Sequence, residues 1–203
     1  MLRAMATTTV TKGERTRQAL IEAAIGRFAR DGFRCASVSD VARDVGIAPA
    51  SVYGYFPSKR ELFLAALDAD SEALIERAIE AIGPDFVSDW ALLFTTLFAS
   101  MDAHPLARRV LMGEEGTTAD RLLVLPAEAR MHDLLVDRLR LAQSRGQVRT
   151  DVDPEVMVDG LTTLLMALLI AALQTGGGAI VNARTQGVIA VLNASLHIPA
   201  SPP

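Results

Sequence analysis

The sequence predicts an all-α chain, with a small three-helix domain at the N-terminus and a larger helical domain behind it. Apolar residues recur three and four positions apart almost throughout, a period that gathers them on one face of a helix. Gly and Pro fall where those periodic stretches end, and no alternating run bounded by turn residues stands out.

Residues 1–11 are small and Thr-rich, have no helical period and read as a disordered arm. From Lys12 onward, Ala19, Leu20, Ala23, Ala24 and Phe28 share one face. Gly32 suits the left-handed position past a helix end. Ser37 announces a short second helix as its N-cap, with Asp40 three residues on as the partner in a capping-box-like pair. Gly46 stops that helix. A third segment runs from Pro49, acceptable in a first helical turn, to Phe56, and closes a domain over 12–57. Further helices are expected over 58–82, ending at Gly83-Pro84, over 85–103, ending before His104-Pro105, and over 105–115. Another covers 119–146, where Pro126 kinks or restarts it. The last two cover 154–175 and 179–197, separated by Gly176-Gly177-Gly178. Together they form a second domain over 58–198, with 199–203 as a tail, and no internal repeat is found.

Half of the 203 residues are apolar, enough for a core without disulfides or metal. The single cysteine, Cys35, makes no internal bridge, which fits a reducing cytoplasm. No charged and then apolar leader with a small-residue cleavage site opens the chain. The longest apolar stretch, Leu161 to Leu173, is broken by Thr162 and Thr163 and falls short of the ~20 residues of a bilayer crossing, so it reads as a buried helix with no membrane role. The net charge of −4 divides unevenly. Residues 1–60 hold ten Lys and Arg against five Asp and Glu, whereas residues 61–203 hold ten against nineteen. A cationic head on an anionic body directs one end toward phosphate.

With Val38 as the first position of a helix-turn-helix, the chemistry that motif requires falls into place. Ala42 is small where the two helices cross, and Gly46 sits in a turn whose backbone penalises a Cβ. Val41, Val45, Ile47, Val52 and Tyr55 occupy the motif's private core, which leaves Ser51, Tyr53 and Gly54 facing outward on the helix that enters a major groove.

The stretches Phe28-Ala-Arg-Asp-Gly-Phe33, Ala36-Ser-Val-Ser-Asp-Val-Ala42, Gly46-Ile47 and Ser51-Val-Tyr-Gly-Tyr-Phe-Pro-Ser-Lys59, followed by Glu61-Leu62-Phe63, resemble the DNA-binding signature of the TetR family. The match covers roughly residues 13–65. The resemblance implies a dimeric, ligand-responsive transcription regulator, most simply a repressor, although an activator would carry the same features. It implies phosphate contacts from the Tyr53 hydroxyl and from Lys59, and puts Tyr55 in the DNA-facing set as well. Ser37 and Ser39 lie where free helix N–H groups favour phosphate, and Pro49 and Ser51 reach base edges or thymine methyls. Lys12, Arg15 and Arg17 add backbone or minor-groove contacts. Two departures stand out: Ala48 replaces the usual Ser or Thr cap, and Gly54 replaces a larger side chain at a cost in helix propensity of about 1 kcal/mol relative to Ala.

A single recognition helix covers few base pairs, so a palindromic double-stranded operator and a homodimer are expected. Leu161, Leu164, Leu165, Leu168, Leu169 and Leu173 cover more of their helix than one core-facing stripe needs. Val181, Val188, Ile189, Leu192 and Leu196 line the last helix, and Gly160, Ala167 and Ala171 permit close approach. From these, Leu161, Leu164, Leu165, Leu168, Val188 and Leu192 are expected at a four-helix, two-fold interface. For a small lipophilic effector the candidates are Trp90, Phe94, Phe98, Met101, Met112, Met131 and Met166, with Phe86 continuing the aromatic ladder. Arg108, Glu114, Glu115 and His132 are candidates to orient a polar group on it.

Catalysis is not expected. Cys35 has no motif-linked His, and His104, His132 and His197 show no metal-ligand spacing. The Gly176–Gly178 run lacks the Lys-Ser/Thr of a phosphate loop, so neither cofactor nor metal is expected.

Overall fold

The computed structural model describes residues 11–82, 90–115, 125–176 and 179–197. Residues 1–10 of the arm expected over 1–11, the 199–203 tail, Gly83-Pro84, Phe86, the start of a helix at Ala119, Gly177 and Gly178 lie outside them, as does the side chain of Val181. The chain divides into two compact units, Met1–Ala69 and Asp70–Pro203. The division falls inside a helix rather than at Pro57.

The first unit holds α1 (Lys12–Cys35), α2 (Val38–Val45), α3 (Pro49–Val52) and the beginning of α4 (Lys59–Ala81). Thr11 and Glu14 start α1 with a reciprocal capping box: the Thr11 amide donates to Glu14 Oε2 at 2.6 Å, and the Glu14 amide to Thr11 Oγ1 at 3.2 Å. Gly32 breaks α1, with φ 74° and ψ 164°. That is an extended left-sided kink rather than the left-handed helix end expected, and one more turn follows it. Gly46 does adopt the left-handed conformation, with φ 75° and ψ 31°. Ser37 caps α2 by accepting from the Ser39 amide at 3.2 Å. Asp40 does not close the expected box, because Arg43 takes its carboxyl at 2.7 Å.

The third helix is shorter than the expected 49–56. After Val52 the chain tightens into turns, with the Gly54 amide donating to the Ser51 carbonyl at 3.2 Å and Tyr55 and Phe56 both donating to Val52. Pro57 then disfavours helical backbone at Phe56. Gly54 therefore lies beyond α3, and the expected propensity cost inside a helix does not apply. Leu20, Phe28, Val41, Ala42, Val52, Phe56, Leu62 and Phe63 fill the unit's core. Phe63 meets Phe28 and Phe33 edge-on at 5.1 Å, a geometry in which a ring edge faces the π-cloud of its neighbour.

The second unit continues α4 and adds α5 (Trp90–Ser100), a 3-10 turn (Met101–Ala103), α6 (Pro105–Leu111), α7 (Pro126–Ser144), α8 (Pro154–Gln174) and α9 (Ala179–Leu196). Pro126 opens α7, with extended backbone at Leu125 just before it. Pro105, Pro126 and Pro154 all stand in a first turn, where their missing N–H removes no helical bond. Asp153 caps α8, accepting from the Glu155 amide at 2.9 Å.

With 21 residues, α8 is long and apolar enough to cross a membrane by length and composition, longer than the Leu161–Leu173 run alone. It packs against α5, α7 and α9, with Leu161, Leu165, Leu168, Leu169 and Leu173 inside the unit. The faces expected for α8 and α9 therefore need correction. Leu161, Leu165 and Leu168, with Leu192 of α9, belong to the protomer's own core, while Leu164 is exposed and Val188 half-buried.

His104 offers α6 no side-chain cap. Asp70 of α4 supplies one instead. Its Oδ2 accepts from the Leu106 and Ala107 amides, each at 2.9 Å, and its Oδ1 lies 3.2 Å from His104 Nδ1. Both side chains are buried.

Candidate nucleic-acid interface and effector cavity

The outward face of the first unit is fixed by what the inward face buries. Val52 is 1% exposed, and its neighbour Tyr53 is 54% exposed, the largest aromatic surface offered by this unit. Pro49, Ser51, Ser39, Lys12 and Arg15 are exposed as well, and Ser37, Tyr55 and Lys59 are half-buried. Val45 and Ile47, expected in the motif's core with Tyr55, are likewise half-buried. Ala48 gives α3 no side-chain cap. A Cβ at position 54 would lie 3.3 Å from the Ser51 carbonyl oxygen, so a larger residue there would crowd the backbone.

Lys59 is anchored from below. Its Nζ donates to the Arg34 carbonyl at 3.1 Å and stands 5.0 Å from the centre of the Phe33 ring. An ammonium carries three donors, so this anchor leaves donors for an incoming anion.

The cationic charge of the unit is partly neutralised within it. Arg27 binds Asp44 through two bonds of 2.6 Å, and this pairing holds the Asp44 carboxyl below its ordinary range. Arg30 pairs with Asp31, and Arg43 with Asp40. Lys12, Arg15, Arg17, Arg34, Lys59 and Arg60 make no ion pair among the described residues, although Arg17 lies 5.0 Å over the Phe56 ring. Arg34 and Arg60 escaped the sequence reading. Arg60 had a signal, the lack of an acid three or four residues away, whereas Arg34 follows Asp31 by three and had none.

The family model described as "Bacterial regulatory proteins, tetR family" matches residues 20–66, the stretch from α1 into α4. Over those residues the chain is similar to the DNA-binding region of the TetR family of transcriptional regulators. Its fold extends that likeness well past the helix-turn-helix. A protein described as a transcriptional regulator from Streptomyces coelicolor is 26% identical, with a TM-score of 0.59 over 89% of this chain and 98% of its own. The regulator FadR from Bacillus subtilis, solved with stearoyl-CoA, is 18% identical, with a TM-score of 0.65 over 89% of this chain and 99% of its own. A protein from Mesorhizobium loti described as a TetR-family regulator is 17% identical, with a TM-score of 0.68 over 93% and 100%.

The second unit of the chain encloses a cavity of about 350 Å³. Leu74, Ile75, Leu97, Leu111, Met131, Leu165, Met166, Leu169 and Ile170 give it apolar walls, and Ser71, Glu128, Thr162 and Thr163 are the polar groups among its lining. Of the seven effector candidates, only Met131 and Met166 border it. Trp90, Phe94 and Met101 are core side chains away from its lining, and Phe98 and Met112 are half-buried elsewhere. The aromatic ladder is structural: Trp90 and Phe94 pack into the unit's core, and Phe98 stacks on Phe94 at 5.9 Å.

Arg108, Glu114, Glu115 and His132 also stay out of the lining. Glu114 and Glu115 pair with Arg109 at 3.0 and 2.5 Å, and His132 Nε2 lies 3.1 Å from Asp159 Oδ1.

Glu128 was not anticipated. An acid in the first turn of α7 reads from sequence as a partner of the helix dipole, and only the packing shows that it borders an apolar cavity. Burial raises its pKa above the ordinary 4.5, opposed by the nearby His132 and reinforced by Asp159 and Asp133. A carboxyl whose folded pKa is raised favours the folded state below its unfolded pKa and loses that contribution as pH rises through the folded value. The Glu128→Gln variant is therefore expected to melt above the wild type at neutral pH. That advantage should close as pH falls toward the ordinary carboxyl range, a comparison that thermal melts over a pH series will make.

Proposed function

We propose that this chain is a TetR-family regulator, a homodimeric repressor acting in the cytoplasm. It holds a palindromic double-stranded operator through its first unit and releases it when a small lipophilic effector fills the second-unit cavity. The observation that carries the DNA role is the pairing of a buried Val52 with an exposed Tyr53, which turns the end of α3 outward. In this reading Tyr53 and Lys59 bind phosphates, Ser37, Ser39 and Tyr55 support the backbone contact, and Lys12 and Arg15 extend it along the duplex. Pro49 and Ser51 meet the bases.

The dimer is supported by a strip of small and apolar residues left uncovered on the last two helices. Gly160, Leu164, Ala167 and Ala171 are exposed along α8, as are Ala183, Gly187, Ala190, Val191 and Ala194 along α9. Leu164 is 48% and Val191 64% exposed. Two such helices from each protomer make an isologous four-helix contact. Effector release follows as a population shift, in which the effector binds more tightly to the form that does not fit two successive major grooves.

The test is a mobility-shift assay on DNA flanking the protein's own gene, run with light scattering on the free protein. Specific retention by a dimer is expected, with Leu164→Arg giving monomers and losing retention. Retention no stronger than on unrelated DNA at moderate salt would remove the operator role, and a wild-type monomer at micromolar concentration would remove the dimer.

A further inference from the structure

Building on the reading of the second-unit cavity as the effector site, we propose that the effector is a lipophilic amine, its apolar body in the cavity and its protonated nitrogen held by Glu128. The walls alone would accept any greasy molecule. The polar groups narrow the choice. Thr162 and Thr163 spend their hydroxyl protons on the Val158 and Asp159 carbonyls, at 2.8 and 2.7 Å. They therefore face the cavity as acceptors only. Ser71 is 2% exposed and its hydroxyl has no hydrogen-bond partner among the described residues, so it awaits a polar group in a place where an unmade bond is costly.

Glu128 has no ion-pair partner among the described residues, and His132, the cation that acts on it, is turned toward Asp159. Arg130, two residues along α7, pairs with Glu76. No Lys or Arg is among the described residues of the lining. Asp133 and Asp159 add negative field at the same carboxyl. A carboxylate or phosphate head would meet acids and acceptors with no counter-charge. An ammonium brings three N–H donors, which match the Glu128 oxygens and leave Ser71 a second acceptor in the same cavity.

Three probes with one chain length and different heads separate these cases: decylamine, 1-decanol and decanoate, each titrated calorimetrically into the full chain below its aggregation concentration. Decylamine is expected to bind about tenfold or more tighter than decanol, as a charge-assisted hydrogen bond implies, with decanoate weakest. In the Glu128→Gln variant the amine-to-alcohol ratio should fall to about one. Met166→Trp, which fills the cavity, should weaken all three probes together. Decanoate binding as tightly as decylamine, or an amine preference that survives Glu128→Gln, overturns the proposal. Binding of all three that ignores the head but is lost in Met166→Trp overturns the amine while the cavity reading stands. Failure of every probe to bind overturns both.

Discussion

Tyr53→Phe is expected to weaken operator binding by about 100-fold while leaving the fold and the dimer unchanged. The substitution removes one hydroxyl from a ring that is already solvent-facing, so the core beneath it, closed by Val52, is undisturbed. A hydrogen bond to a charged phosphate is worth about 1.5 kcal/mol or more, and a two-fold complex loses it in both half-sites, which doubles the free energy and squares the ratio. Lys59 answers a different question. Lys59→Ala should lower the slope of log affinity against log salt by about two, one phosphate per half-site, whereas Tyr53→Phe should leave that slope alone. Filter binding or fluorescence anisotropy across a salt series reads both. Because Lys59 also ties the Arg34 carbonyl, its variant should be checked for a native melt first. Unchanged affinity in Tyr53→Phe together with an unchanged slope in Lys59→Ala would end the assignment of this face to phosphate.

The second large effect is one of stability. Asp70→Ala is expected to cost about 3 kcal/mol, because it strips three buried donors of their acceptor at once. The Leu106 and Ala107 amides belong to the first turn of α6, where no intrahelical carbonyl reaches them, and the third donor is the His104 imidazole. At this chain length that corresponds to a fall of roughly 10 °C in melting midpoint. Asp70→Asn should fall between the two, since an amide oxygen serves one site and its NH2 faces donors at the other. A melt of Asp70→Ala within a degree or two of the wild type would show that water takes over the cap.

What could be read from the sequence was whatever obeys local rules. Gly46 suits the left-handed position, and Pro105 and Pro154 open helices where the sequence placed them, so several boundaries could be placed without knowing what packs against them. The exposed Tyr53 beside a buried Val52 followed from the helix-turn-helix frame. The facing of α8 did not, because a helix apolar almost all round gives periodicity nothing to choose between. Packing chose Leu161, Leu165, Leu168 and Leu169 for the interior and left Leu164 outside. Asp70 with His104, and Glu128 with Ser71, were hidden for a related reason. Asp70 and His104 are joined by a contact, Glu128 and Ser71 only by lining one cavity; both sets lie far apart in the chain, and a lone acid on an amphipathic helix looks the same whether it faces solvent or a cavity.

The brevity of α3 bears on how such a protein tells one stretch of duplex from another. Its outward positions carry a proline ring and a hydroxyl, neither of which grips a base edge at two points as Arg does with guanine or Asn with adenine. Single-base substitutions beneath this helix should therefore be tolerated more readily than changes in half-site spacing. They should also be tolerated more readily than changes in how easily the intervening steps bend or narrow. Under the proposed function, recognition is expected to depend chiefly on the contour of the double helix and only lightly on its letters.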